Sequence, residues 1–112
     1  MADPLYTREK LGAAVQKLAT GKGRIKERLN EAAVELVMVD DKVFTETKDI
    51  YYEAPNYWKR IMDALTAAKT GAPNQTGIFA SSIEQMTEEE AAQVAQSIVS
   101  LDSMLESALE NR

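Results

Sequence analysis

The stretch IKERLNEAAVELVMV, residues 25–39, decides the fold of this chain, because its last six residues, VELVMV, carry the β-branched density of a strand. The longer pattern points the other way. Ile25, Leu29, Ala32, Leu36 and Val39 recur at spacings of 4, 3, 4 and 3, a helical seam with a heptad-like period that Val37 widens. VELVMV also lacks a second convincing strand to pair with. The spacing predicts a helix from about Lys22 to Val39, and with it an all-α chain.

Outward from this seam the same period returns. Asp3-Pro4 reads as an N-cap followed by proline in the first turn, and Leu11, Ala14, Val15 and Leu18 form one stripe of a helix ending near Ala19. Gly21 stands where a left-handed C-terminal residue is wanted. Downstream, Asp40-Asp41-Lys42 marks a polar break, and Val43-Phe44 is expected to pack back onto the core. Pro55 pushes Ala54 away from helical geometry, so the next long helix is placed from about Asn56 to Lys69, with Trp58, Ile61, Leu65 and Ala68 inward and Gly71 closing it. GAPNQTGIFASS is turn-rich, with room for a single helical turn around residues 79–85. Thr87 followed by Glu90 is a capping box, and Ala91, Val94, Ile98, Leu101, Leu105 and Ala108 then step by 3, 4, 3, 4 and 3. Four helical segments with short connections predict a four-helix bundle-like single domain over residues 1–112, with an extra short helix before the C-terminal one.

Composition narrows the chemistry. The 112 residues suffice for one core, and 45% hydrophobic with 28% charged residues is the balance of a folded globular chain. There is no cysteine and no histidine, which excludes thiolate nucleophiles, Cys/His zinc sites and Ser-His-Asp triads. We therefore expect a non-enzymatic protein, with no catalytic, cofactor-binding or metal-ligating residue assigned. The chain has no run of about 18 apolar residues, and MADPLYTREK has neither a basic n-region nor an apolar h-region. The expectation is a cytoplasmic chain with no membrane association.

The net charge of −5 is unevenly spread. Residues 1–30 carry seven Lys/Arg against three Asp/Glu, whereas residues 31–112 carry six against fifteen. The basic part centres on TGKGRIKERL, residues 20–29, which matches neither GxxxxGK[ST] nor GxGxxG. Lys22 and Arg24 stand in the first turn of the predicted second helix, where positive charge is unfavourable unless an anion faces it. The anion could be a carboxylate of the same chain, an acidic partner or a phosphate. Four of seven aromatics, Tyr51, Tyr52, Tyr57 and Trp58, fall around Pro55. Trp58 is read as sealing the core, and the tyrosines suit an interface rim as well as a core edge. Asp40-Asp41 and Glu88-Glu89-Glu90 are explained by a helix exit and by capping.

The expected partner-binding residues are thus Lys22, Arg24, Arg28, Tyr51 and Tyr52, acting in a small regulator or accessory subunit that binds another protein. A nucleic-acid-associated regulator using residues 17–28 is the alternative. Helix four carries a second apolar line, Ala92, Ala95 and Val99, so a homodimer is also considered. LGAAVQKLATGKGRIKERLNEAAVELV (residues 11–37), YWKRIMDALT (57–66) and MTEEEAAQVAQSIVSL (86–101) together resemble a family of small, functionally uncharacterised all-helical bacterial proteins. The resemblance implies a helical, single-domain chain in a bacterial setting and assigns no activity to any residue.

Overall fold

In the computed structural model, which describes residues 4–46, 53–68 and 74–110, the deciding stretch is helical. The chain is all-α, and the described residues form six helices: α1 (Pro4–Thr20), α2 (Ile25–Leu36), α3 (Lys42–Glu46), α4 (Ala54–Leu65), α5 (Gln75–Gln85) and α6 (Glu88–Glu110). Asp3, Tyr51, Tyr52 and Gly71 lie outside the described residues.

The four predicted long segments correspond to α1, α2, α4 and α6, each with a shifted boundary or an added neighbour. α2 stops at Leu36, and Val37, Met38 and Val39 donate their N–H groups to Val34, Glu35 and Leu36. These are i to i−3 bonds, the tightening by which a helix end finds partners for its last carbonyls. Asp40 then starts α3, its Oδ1 accepting the Lys42 N–H at 3.0 Å. α4 begins at Ala54, not Asn56. Proline in a first turn lacks only an N–H that would have no intrahelical partner, and the Asn56 and Tyr57 N–H groups both reach the Glu53 carbonyl.

The expected single turn near residue 79 is in fact α5, three turns long. Asn74 caps it by accepting the Gly77 N–H at 2.8 Å, and Phe79 and Ile83 are buried beneath it. Ser82, also buried, accepts the Ala68 N–H at 3.1 Å and so ties α5 to the end of α4. At the start of α6 the capping box forms in both directions: the Glu90 N–H donates to Thr87 Oγ1 at 3.1 Å, and the Thr87 N–H donates to Glu90 Oε1 at 3.0 Å. Those bonds hold the Glu90 carboxyl below its usual range.

α1 and α2 form an antiparallel hairpin. α6 lies across α1, α2 and α4, and α5 closes against α2 and α4. The radius of gyration, 13.5 Å, is that of a compact domain of this length, for which about 13 Å is expected. The core joins Leu11, Ala14 and Leu18 of α1 to Leu29, Ala32, Ala33 and Leu36 of α2. Val94, Ile98, Leu101 and Leu105 of α6 complete this layer, while Phe44, Trp58, Ile61 and Leu65 fill the other end. The second apolar line of α6 divides, with Ala95 in the core, Val99 partly buried and Ala92 exposed.

Candidate functional site

The corner between α1 and α2 is built by two glycines with different tasks. The left-handed residue is Gly23, at φ +96°, and not Gly21 as the sequence suggested. Gly21 is needed for space. Its N–H donates to the Lys17 carbonyl at 2.9 Å, and a Cβ there would lie 2.5 Å from that same oxygen.

The basic side chains that leave this corner reach groups of the same chain. Arg24, the N-cap residue of α2, extends to Glu88 in the first turn of α6, with Nη1 and Oε1 3.4 Å apart. The two side chains are 82% and 60% exposed, so the pair contributes less than about 1 kcal/mol. Lys26 donates to the Glu84 carbonyl in the last turn of α5 at 2.7 Å, and Arg28 donates to the Leu18 carbonyl in the last turn of α1 at 2.9 Å. Both cations stand at helix C-termini, where unpaired carbonyls and the helix dipole favour positive charge. Lys17 and Lys22 are exposed and make no side-chain ion pair among the described residues. The structure thus brings Arg24 and Arg28 into internal contacts and leaves Lys22 facing outward.

Trp58 is buried, its ring centroid 5.0 Å from that of Phe44, while Tyr57 is partly buried beneath the Arg60 guanidinium at 5.3 Å. Asp40 and Asp41 lie between α2 and α3, and Glu88 to Glu90 open α6. No group of three or more carboxylates among the described residues is placed to hold a metal. A cleft of about 420 Å³ runs between α4, α5 and α6, floored by Ile61, Ala64, Met86 and Val94. Glu90, at its edge, is engaged with Thr87.

A different surface was missed from sequence. The exposed large hydrophobic residues among those described are Leu5 (65%), Tyr6 (39%), Val34 (50%) and Met38 (55%), and all four lie at one end of the α1–α2 hairpin. The antiparallel contacts place them together. At that end Lys10 of α1 sits 3.6 Å from Glu35 of α2 and 5.6 Å from the Tyr6 ring centroid, while Arg28 reaches Leu18 toward the other end. Val34 and Met38, one turn apart, project opposite the buried face of Leu29, Ala32, Ala33 and Leu36. The signal was available: Val34 and Met38 fall off the 25–29–32–36 seam, on the polar side of an amphipathic helix.

Behind this end, α1 and α6 are joined by Arg8 and Glu106, 3.3 Å apart. Asp102 beside them has one buried carboxylate oxygen, Oδ1, without a hydrogen-bond partner among the described residues. Burial pushes the Asp102 carboxyl above its usual value and Glu106 adds to that, while Arg8 opposes it. A raised carboxyl retains a proton in the folded state that the unfolded chain releases. Its contribution to stability is therefore fully present below the unfolded pKa and is lost as pH rises through the folded one. Asp102→Asn is expected to raise the melting temperature at pH 7, with the advantage over the parent shrinking in melts toward pH 4. An advantage that grew on acidification would show that the carboxylate is stabilising instead.

No family model matches the chain, and no curated protein or solved structure matches it either.

Proposed function

We propose that this chain is a non-enzymatic, all-helical protein-interaction module, a small regulator or accessory subunit. The observation that carries this reading is the gathering of Leu5, Tyr6, Val34 and Met38 at one hairpin end, when the rest of the described large apolar side chains are buried or partly so. Singly scattered exposed apolar residues are ordinary on protein surfaces, whereas large ones drawn to one end of a helical hairpin support a place for another surface. The bacterial setting rests on the sequence resemblance alone. The basic corner supports a nucleic-acid role less well, because Arg24, Lys26 and Arg28 are held by Glu88, Glu84 and Leu18.

The test is affinity capture from a bacterial host with two pairs of exposed substitutions. Val34→Asp with Met38→Asp is expected to retain the helical circular dichroism of the parent and to lose its captured partners. Lys22→Ala with Arg24→Ala is expected to keep them. A capture profile that the hairpin-end pair leaves unchanged, with the fold intact, would refute the surface.

A further inference from the structure

We infer that the occupant of the hairpin end is a basic amphipathic helix of a partner protein. This rests on the interaction-module reading and specifies the partner's chemistry. The patch combines Val34 of α2 and Met38, in the turn just past its end, with Leu5 and Tyr6 on the antiparallel neighbour, so it offers apolar contacts along two adjacent helices. A third helix with an apolar face is the element that such a pair of helices accepts. Met38 adds an unbranched, adaptable side chain to the contact.

Charge selects among the helices that could lie there. The described charged residues within four positions of the patch are Arg8, Glu9, Lys10, Glu31, Glu35, Asp40, Asp41 and Lys42. Arg8 is paired with Glu106, and Lys10 with Glu35. Glu31 turns back to the opposite corner, where a Cβ at Gly21 would lie 3.0 Å from its Oε2, so what remains without an ion pair near the patch among the described residues is three carboxylates, Glu9, Asp40 and Asp41, against the single amine of Lys42. In a two-fold contact between copies, this acidic rim would meet itself. An anionic bilayer would be repelled in the same way. A helix bearing Lys or Arg beside its apolar stripe meets both the patch and its rim with complementary chemistry.

Two fluorescein-labelled probes of about 18 residues, roughly five helical turns, test this. One has Leu on one face and Lys on the other, and the second replaces every Lys with Glu. Anisotropy at moderate salt is expected to show binding of the Leu/Lys helix and not of the Leu/Glu helix. Val34→Ser with Met38→Ser should weaken that binding about tenfold. Glu9→Gln with Asp41→Asn should weaken it about twofold and flatten its salt dependence. Glu88→Gln with Glu89→Gln, which removes two charges far along the chain, should change it little. Equal binding of both probes, or indifference to the Ser pair, would overturn the basic-helix occupant. So would a concentration-dependent dimer in sedimentation that the Ser pair abolishes, although the hairpin end would remain an interaction surface. A strict monomer that binds neither probe and whose captured partners ignore the pair would take down both readings.

Discussion

Phe44→Ala is expected to lower the free energy of unfolding by about 3–5 kcal/mol, the range for deleting a fully buried aromatic side chain. α3 has only five residues, too few to be stable by its own backbone bonds, so its position depends on the side chains it buries. Val43 and Phe44 are both 1% exposed, and the Phe44 ring packs against Trp58 at a tilt of 31°. Removing it leaves a cavity at the end of the core and forfeits an aromatic pair worth about 0.5–1.5 kcal/mol beyond its buried area. Urea titration followed by Trp58 fluorescence measures the loss. Phe44→Leu should restore most of the stability because it refills the volume. A loss below about 1 kcal/mol would mean that α3 does not dock in solution.

The second large effect concerns two glycines whose substitutions should act in opposite directions. Gly21→Ala places a methyl group 2.5 Å from the Lys17 carbonyl oxygen, with Glu31 and Arg28 side-chain atoms at 3.0 and 3.1 Å. The carbonyl cannot retreat without weakening its bond to the Gly21 N–H. A cost of about 1–3 kcal/mol is expected, the usual range for a methyl group forced into occupied space. Gly12 lies inside α1, and a Cβ there meets nothing within 4 Å. Gly12→Ala should therefore stabilise by about 0.5–1 kcal/mol, because alanine loses less backbone entropy in a helix. Thermal melts of the two variants decide the matter. A Gly21→Ala protein as stable as the parent would contradict the geometry of the corner.

Much of the fold was legible because the interactions that shape it are local. The Thr87–Glu90 capping box and the 3- and 4-residue apolar steps of α6 were readable as they stand, and Val43-Phe44 is buried as expected. The shifted starts of α4 and α5 share one cause. Pro55 tends by type to break a helix, although in a first turn it breaks nothing, and Asn74 is by type a turn residue although here it caps α5. The same residue types serve both purposes, and only the buried partners downstream, Trp58 in one case and Phe79 in the other, select between them.

The candidate surface was less legible. Val34 and Met38 fall off the inward seam of their helix, but that Leu5 and Tyr6 stand at the same end of the hairpin is a matter of how α1 packs against α2, which no local spacing records. By itself, the sequence determined that the chain is helical, where α1 and α6 begin, and which stripe of the long helices turns inward, since capping and amphipathic spacing act within about four residues. Only the tertiary structure decided the partners of the basic corner. Arg24 meets Glu88 across 64 positions and Lys26 meets the Glu84 carbonyl across 58. Contacts at such separations follow from the path of the whole chain and leave no mark in the spacing of neighbouring residues.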